Sequence, residues 1–369
     1  MNGRRVILAA GGTGGHFFPA EALAAELTAR GHAIALMTDR RGQDRAPDGA
    51  FAGVPVAVLA GGGLAGRGMA SAARSALALA AGTMQAWAAL RRLHPSAIVG
   101  FGGYPSVPPV LGRRLLRRAV PVVLHEQNAV LGRANRFLAR AGGTILALSY
   151  AATRTLPAGV ATVVTGNPVR PAIGACAASP YAPPAPDGPI RVLVTGGSLG
   201  ARIFSTVVPA ALTALPPGVR ARLVITQQAR EADLAAVRAA YEAAGLEVTL
   251  ASFFNDMAAR IVAAHLVIGR AGASTLAELA VIGRPAVLVP LPGAIDDHQS
   301  ANAAALGAGA WQLREAEFVP ALLTALLTEI LTSPTSLPAA AAEMARHGRP
   351  DAAARLADVV EAAIRESAS

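Results

Sequence analysis

Apolar residues fall into short runs along the chain, and longer amphipathic or alanine-rich segments separate these runs. Short apolar runs bounded by turn residues are typical of strands that are buried on both faces of a sheet. Strands that alternate with helices predict parallel α/β sheets. The predicted strands are Val6–Ala10, Ala33–Thr38, Val54–Leu59, Ala97–Gly100, Val120–His125, Thr144–Leu148, Arg191–Thr195, Arg222–Thr226, Val248–Ala251, Leu266–Gly269 and Ala286–Val289.

A glycine-rich loop occurs twice, each time after an apolar strand and before a helical segment. The first loop is Gly11-Gly12-Thr13-Gly14-Gly15-His16, and the second is Gly196-Gly197-Ser198-Leu199-Gly200. A strand that turns through glycines into a helix brings backbone N–H groups and the positive end of the helix dipole to one point, which suits a phosphate. Two such units predict two Rossmann-like domains that face each other across a ligand cleft.

Length and proline content support this division. The chain has 369 residues, whereas single hydrophobic cores stop growing at about 250 to 300 residues. The proline-rich stretch 166–189 is predicted to link the two domains. A final helix is predicted over residues 351–365, because Pro350 precedes its acidic start.

Composition excludes several classes of protein. All 33 basic residues are arginine, which excludes a Walker phosphate loop and Schiff-base or pyridoxal-phosphate catalysis, since these need a lysine. Cys176 is the single cysteine, so no intramolecular disulfide can form and a reducing cytoplasm is expected. The most apolar stretch, residues 75–90, is interrupted by polar residues and glycine and is too short to span a membrane.

Positive charge is concentrated in the first part of the chain. Residues 1–168 contain 18 arginines and 6 acidic residues (net +12), whereas residues 169–369 contain 15 and 17 (net −2). No acidic residue lies between Gly49 and His125. This asymmetry predicts that the N-terminal half meets an anionic surface or ligand. The arginines of the acid-free segment are Arg67, Arg74, Arg91, Arg92, Arg113, Arg114, Arg117 and Arg118.

Polar and glycine-rich clusters follow the predicted strands in both halves, where parallel α/β folds bind their ligands. Taken in order, these clusters resemble the bacterial peptidoglycan N-acetylglucosaminyltransferases, the family that converts lipid I to lipid II. The residues that carry the resemblance are Gly11 to His16 with Pro19, Gly102-Gly103-Tyr104, His125 to Asn128, Gly166 to Arg170, Gly196 to Ser198 with Gly200-Ala201-Arg202, and Ala271-Gly272-Ala273 through Glu278.

The resemblance implies the GT-B architecture of two Rossmann-like domains. Residues 1–168 would form the acceptor- and membrane-facing domain, and residues 169–369 the domain that binds UDP-N-acetylglucosamine. Whether the final helix packs back on the first domain is left open. The implied reaction is an inverting transfer to the C4 hydroxyl of the muramoyl sugar of lipid I, without a covalent intermediate or a cofactor. A GT-B enzyme that acts on another lipid or on a soluble acceptor is the alternative.

His16 and Glu126 are the candidates for catalysis. The first glycine loop is not a dinucleotide fingerprint, because Phe17 stands where the third glycine would fall. By the family pattern this loop lies beside the acceptor pyrophosphate and the donor sugar, and His16 is the candidate general base. An imidazole, with an ordinary pKa near 6.5, suits that role. Glu126 is the reserve candidate, and a purely structural histidine at position 16 remains open.

The family pattern also assigns residues to the donor. Glu278 would accept the two ribose hydroxyls, although a carboxylate early in a helix also favours the helix dipole. Phe254 would flank the uracil, Ser198 and Arg170 would meet the diphosphate, and Asn128 and Gln299 the sugar. His298 precedes Gln299 where some relatives have a second glutamine. The full set of expected donor contacts is Thr13, Gly14, Gly15, Asn128, Arg170, Ser198, Phe254, Ala273, Ser274, Thr275, Leu276, Ala277, Glu278 and Gln299.

Three further expectations concern partners. Asp296-Asp297-His298 gives no defined ligand geometry, so no metal site is predicted. Nucleic-acid binding could explain the arginine excess, but the sequence contains no recognition motif for nucleic acid. We therefore expect no nucleic-acid partner. The apolar stripe of Leu77, Ala81, Met84 and Ala88, with the Arg113–Arg118 segment, predicts peripheral attachment to an anionic membrane surface, the cytoplasmic face of the inner membrane. The alternative is a buried stripe beside a solvated arginine face.

Overall fold

The computed structural model describes residues 3–11, 14–44, 49–60, 69–140, 143–197 and 200–367, with the backbone alone for residues 69–72. The chain divides into two compact units. The first consists of Met1–Arg170 together with Arg349–Ser369, and the second of Pro171–Gly348.

Short strands alternate with helices along nearly the whole chain. The strands are β1 Arg5–Ala9, β2 Ala33–Thr38, β3 Val56–Val58, β4 Ala97–Gly100, β5 Val122–Glu126, β6 Thr144–Leu148, β7 Ala161–Val164, β8 Ile190–Thr195, β9 Leu223–Gln228, β10 Val248–Ala251, β11 Leu266–Gly269, β12 Ala286–Leu288 and β13 Ala310–Gln312. The helices are α1 Gly14–Ala29, α2 Arg40–Gln43, α3 Met69–Leu93, α4 Val107–Gly112, α5 Arg133–Ala139, α6 Pro171–Gly174, α7 Arg202–Thr213, α8 Pro217–Arg220, α9 Leu234–Ala243, α10 Met257–Ala263, α11 Ala273–Ile282, α12 His298–Ala304, α13 Pro320–Thr332, α14 Ser336–Arg346 and α15 Ala352–Glu366.

The first unit is built on a seven-stranded parallel sheet in the order β3-β2-β1-β4-β5-β6-β7. Side chains alternate between its two faces, as they must in a strand. Val6 and Leu8 pack in a cluster with residues of α1 and α15, whereas Ile7 packs in the cluster that includes residues of α3 and α5. Leu356 and Val360 of α15 are fully buried there. The end of the chain therefore completes the core that its beginning forms.

The second unit has a six-stranded parallel sheet in the order β10-β9-β8-β11-β12-β13. Its core joins Val192 and Val194 of β8 to Phe204 of α7 and Tyr241 of α9. In each sheet the first strand of the unit lies between the second and the fourth, which is the Rossmann order. The order reverses between β1 and β4 in one sheet and between β8 and β11 in the other. Ligands of such folds bind at the carboxyl ends of the strands at this point.

The predicted class of two parallel α/β sheets is confirmed, and every predicted strand is present, with shifts only at some ends. The strands β7 and β13 were not predicted. Within the described ranges, no helix is long and apolar enough to cross a membrane.

Candidate functional site

In the first unit, the loops after β1 and β4 bring His16 and two glycines together. His16 lies in the first turn of α1. Gly102 and Gly103, which follow β4, have φ of 79° and 67°, values that favour glycine. A Cβ atom at either position would lie 3.5 Å from the His16 ring. The Ser106 hydroxyl donates to the carbonyls of Ala9 (3.0 Å) and Gly102 (2.9 Å) and so ties this loop to the end of β1.

The His16 ring is hydrogen-bonded to residues at the end of β5. Its Nδ1 lies 3.1 Å from Oε1 of Gln127. Gln127 Nε2 lies 3.0 Å from the Phe101 carbonyl oxygen and 3.0 Å from Nδ1 of His125. His125 Nε2 lies 3.0 Å from the carbonyl oxygen of Gly166. Burial, opposed in part by the bond to Gly166, lowers the pKa of His125 to about 4, so this ring is neutral near pH 7.

Glu126 is buried and both of its carboxylate oxygens are occupied. Oε1 accepts from the backbone N–H (3.0 Å) and the side-chain amide (3.1 Å) of Asn128. Oε2 accepts from the Gly132 N–H (2.8 Å) and the Asn135 amide (3.0 Å). These four donors hold the loop that carries Asn128. The catalytic role of Glu126 stays a prediction, but its contacts are those of a residue that orders the loop.

The other expected residues of the first unit lie around the start of α1. Gly14 and Gly15 are its first residues, and Thr13 lies outside the described residues. The Arg170 guanidinium lies over the Phe18 ring, 4.9 Å from its centroid. Such stacking orients the arginine without neutralising its charge.

In the second unit, the loop after β8 folds back tightly on itself. A Cβ atom at Gly196 would lie 2.3 Å from the Ala201 nitrogen, so only glycine fits there. Gly197 has a φ of 72°, and its N–H donates to the Thr195 hydroxyl at 3.3 Å. Ser198, the residue expected at the diphosphate, lies outside the described residues.

Helix α11 carries most of the residues expected at the nucleotide. It begins at Ala273, after its N-cap residue Gly272, and a short loop joins it to β11, which ends at Gly269. Ser274 and Thr275 lie in the first turn, Leu276 is fully buried, and Glu278 in the second turn is 7% exposed. Ala277 is partly exposed. The Asn302 amide donates to the Ala271 carbonyl at 3.3 Å and so fixes the loop before the helix.

The segment that carries Gln299 is held in a strained conformation. Asp296 and Asp297 have φ of 55° and 50°, which is rare for residues with side chains. Oε1 of Gln299 accepts from the Leu291 N–H at 2.9 Å, and the His298 ring lies 2.8 Å from the Ile295 carbonyl. The amide oxygen of Gln299 therefore holds its loop, which leaves the NH₂ group for the expected contact with a sugar.

Phe254 is 7% exposed, and the Arg260 guanidinium lies 4.1 Å from its ring centroid. The neighbouring Phe253 is 62% exposed. One face of the Phe254 ring is thus covered by a cation, and the expected contact with uracil would have to use its remaining surface.

Sequence reasoning missed three residues that shape these sites. Gln127 stands between Glu126 and Asn128 in the sequence, and its side chain is hydrogen-bonded to His16 and His125. A glutamine at a strand end is no signal of such a role by itself. Asn135 reaches Glu126 from α5, a contact that only the tertiary structure creates. Arg270 donates to the carbonyls of Val289 and Pro290, each at 3.2 Å, and pairs with Glu315. Across the part of the chain that is described, no group of three or more His, Cys, Asp or Glu side chains could hold a metal ion.

Comparisons with known proteins agree along the whole chain. The N-terminal domain model of glycosyltransferase family 28 matches residues 6–146, and the C-terminal domain model matches residues 191–356. A relative from Granulibacter bethesdensis is 58% identical over 97% of this chain and 93% of its own length. One from Methylobacterium sp. (strain 4-46) is 51% identical over 98% of both chains. Both are named "UDP-N-acetylglucosamine--N-acetylmuramyl-(pentapeptide) pyrophosphoryl-undecaprenol N-acetylglucosamine transferase".

Solved structures give the same picture of the fold. The crystal structure of Acinetobacter baumannii MurG is similar with a TM-score of 0.79 and 31% identity, over 97% of this chain and 99% of that one. The glycosyltransferase of kitacinnamycin has a TM-score of 0.67 at 16% identity, over 99% and 100% of the two chains. At that identity the second likeness speaks for the fold alone, which is the GT-B pair of Rossmann-like units expected from the sequence.

Proposed function

Because the chain belongs to the family of UDP-N-acetylglucosamine–N-acetylmuramyl-(pentapeptide) pyrophosphoryl-undecaprenol N-acetylglucosamine transferases, we propose that it forms lipid II from lipid I. It moves N-acetylglucosamine from UDP-N-acetylglucosamine to the C4 hydroxyl of the muramoyl sugar. The observation that carries this proposal is 58% identity across 97% of the chain, which spans both units.

The donor is assigned to the second unit. Glu278, in the second turn of α11, is assigned to the ribose, and the N-terminal end of the same helix favours the negative charge of the diphosphate. In the same unit, Ser198 is the further diphosphate contact and Gln299 the contact to the sugar. Arg170 and Asn128, which belong to the first unit, are the remaining donor residues that the family pattern assigns. Breaking the bond to the sugar leaves its electron pair on the diphosphate of UDP, so the groups assigned to the diphosphate stabilise the departing UDP electrostatically.

The acceptor is assigned to the first unit, with His16 as general base. The C4 hydroxyl attacks the anomeric carbon from the face opposite UDP, and its proton passes to the imidazole. One displacement forms the β1,4 bond and breaks the bond to UDP, so the configuration is inverted. The hydrogen-bonded His16 ring supports this role, whereas Glu126 already accepts from four donors.

The identity of the acceptor can be tested by measuring the release of UDP from the donor. We expect UDP release when UDP-N-acetylglucosamine is supplied with a polyprenyl-diphosphate muropeptide, and a disaccharide product with a β1,4 bond. Release with an unrelated lipid or a soluble sugar, but not with the muropeptide, would favour the alternative of another GT-B acceptor.

The His16→Ala variant tests the chemistry. General-base assistance contributes roughly a hundredfold or more to the rate, so turnover should fall by about that factor while UDP affinity stays unchanged. Single-turnover rates at saturating acceptor, with calorimetric UDP titration as the control, give both numbers. Near-normal turnover would remove His16 from the role of base.

We further propose that the first unit attaches peripherally to the cytoplasmic face of the inner membrane. Leu77 and Met84 of α3 are 71% and 51% exposed, and Leu115 is 52% exposed. Ala81 and Ala88 are exposed as well, so the stripe on α3 faces outward. This outcome speaks against the alternative of a buried stripe. We refer to Leu77, Met84 and Leu115 as the apolar patch.

Arginines lie near Leu115 of the apolar patch. Trp87 donates to the Leu115 carbonyl at 3.2 Å and carries the Arg91 guanidinium 5.0 Å above its ring. Arg114 and Arg117 are exposed beside Leu115. Apolar side chains that enter the acyl boundary, with cations at the level of the headgroups, are the composition of a surface that binds anionic lipid.

A further inference from the structure

His16, Gln127 and His125 form one hydrogen-bonded line that ends on the backbone. The line runs from His16 Nδ1 through the Gln127 amide to His125 Nδ1, and from His125 Nε2 to the Gly166 carbonyl. Each link is 3.0 or 3.1 Å between heavy atoms. Glu126 is the carboxylate next to Gln127 in the sequence, but it does not take part in this line. Its oxygens accept from Asn128, Gly132 and Asn135.

The direction of every bond in this line follows from its backbone end. A carbonyl oxygen can only accept, so His125 carries its proton on Nε2. The ring is fully buried and neutral, and Nδ1 must therefore accept from Gln127. Gln127 Nε2 serves both His125 Nδ1 and the Phe101 carbonyl, which places its oxygen toward His16. An amide oxygen accepts, so His16 Nδ1 is the donor.

We infer that Gln127 and His125 are positioning residues that fix the tautomer of His16. The Nδ1–H tautomer leaves the lone pair on Nε2, the nitrogen that has to take the proton from the acceptor hydroxyl. Gly103 keeps the approach to this nitrogen open, since a Cβ there would lie 3.6 Å from Nε2. The catalytic part of this inference rests on the proposed function, whereas the tautomer does not depend on it.

The tautomer is measured directly by the ¹⁵N chemical shifts of the ring nitrogens in uniformly labelled protein. Signals of His16 are assigned by their loss in His16→Asn. At pH 8 we expect a protonated Nδ1 and an unprotonated Nε2 in the full chain. A protonated Nε2 would overturn the inference whether or not the enzyme is active.

Variants of the line test the cause. Gln127→Met keeps the length of the side chain and removes the oxygen that accepts from Nδ1, so the shifts should move toward a mixture of both tautomers. Turnover should fall about 10- to 100-fold, the usual cost of losing a partner that orients a reactive ring, while UDP affinity stays the same. His125→Phe leaves Gln127 its bond to the Phe101 carbonyl, so we expect a smaller change in both readouts.

A matched control separates this effect from loss of packing. Gln227 is a fully buried glutamine of the second unit, whose amide accepts from the Tyr241 hydroxyl (2.7 Å) and donates to the Phe204 carbonyl (3.3 Å). Gln227→Met should leave the His16 shifts unchanged. Unchanged His16 shifts in Gln127→Met as well would overturn the inference. If the tautomer is as expected but His16→Ala keeps its turnover, the proposed base fails and the structural line stands.

Discussion

Glu278 is a carboxylate that is 7% exposed in the second turn of α11, and its assigned task is to accept two ribose hydroxyls. Glu278→Gln keeps the volume and halves the accepting capacity, and Glu278→Ala removes it. Unpaired hydroxyls in a bound ligand cost about 1 to 3 kcal/mol, so Glu278→Ala should weaken UDP binding by roughly 5- to 150-fold.

Titration calorimetry with UDP measures this loss of affinity. The UDP affinity of Glu278→Gln should lie between those of the unchanged protein and of Glu278→Ala. Glu242→Ala removes an exposed carboxylate from α9 of the same unit and should bind UDP as the unchanged protein does. Full UDP affinity in a folded Glu278→Ala protein would end the ribose assignment.

His125 predicts how stability depends on pH. Its pKa is about 4 in the folded protein because of burial, against an ordinary 6.5 in the unfolded chain. Below pH 6.5 the unfolded chain takes up a proton that the folded protein cannot bind. The contribution of this ring is therefore intact above pH 6.5 and is lost as the pH falls through 4.

Urea unfolding at pH 7.5 and pH 4.5 measures the loss. A Trp311→Phe background leaves Trp87 as the reporter for the first unit. The protein with His125 should lose about 2 to 3 kcal/mol more over this interval than the same protein with His125→Phe. Burial and nearby arginines also lower the pKa of His265, but that residue is common to both proteins. Equal losses would contradict the buried neutral ring.

Sequence and structure differ most at the scale of single contacts. The places of His16 and Glu278 in the fold could be predicted, because His16 follows the first strand through a run of glycines and Glu278 follows a strand end early in the next helix. Their roles stay predictions. The contacts of Gln127 could not be predicted, because they depend on Phe101, which follows β4, and on the neutral state of His125. Neither is visible in the order of residues. Burial of a polar group is decided by the packing of distant segments.

At the scale of elements, the helix α15 completes the first unit. Leu356 is fully buried against α1 and the sheet. Leu356→Ala should lower the free energy of unfolding of that unit by about 2 to 5 kcal/mol, the usual cost of a buried leucine. Leu77→Ala, the same change at an exposed site of α3, should stay within about 0.5 kcal/mol. Urea unfolding followed by Trp87 compares them, and equal effects would contradict the packing of α15.

The two strands that were not predicted, β7 and β13, are both short edge strands, although the edge strands β3 and β10, which are as short, were predicted. All four residues of β7 are exposed, so its apolar pattern carries little information about burial. Central strands such as β5, buried at every position, have the continuous apolar runs that made them predictable.

At the scale of the whole molecule, the positive charge belongs to the first unit. Met1–Arg170 with Arg349–Ser369 contain 22 arginines and 10 acidic residues (net +12), and Pro171–Gly348 contain 11 and 13 (net −2), which together give the formal net charge of +10. Within the first unit, arginines lie beside the exposed apolar patch, although a solvated surface usually mixes both signs. Arg113 and Arg118 also serve the fold, since they donate to the carbonyls of Val120 (3.0 Å) and Pro95 (2.5 Å). Arg114 and Arg117 are exposed and flank Leu115 in the sequence, so we choose them as probes of docking.

Vesicle co-sedimentation tests attachment to the membrane. Each arginine near an anionic leaflet contributes about 1 kcal/mol, so Arg114→Gln with Arg117→Gln should weaken binding to anionic vesicles by roughly 30-fold at low salt. Leu77→Gln with Met84→Gln should weaken binding to neutral and anionic vesicles alike, because it removes apolar contact. Binding of the unchanged chain should fall as salt rises.

A matched double variant shows whether position matters as well as charge. Arg238→Gln with Arg365→Gln removes the same two charges from exposed sites on α9 and α15, helices that carry no residue of the apolar patch. If docking is local, this control should keep most of its binding to anionic vesicles. If both double variants lose the same amount of vesicle binding, the binding depends on net charge and not on a local docking surface. Equal partitioning of the unchanged chain onto neutral and anionic vesicles would remove the electrostatic contribution altogether.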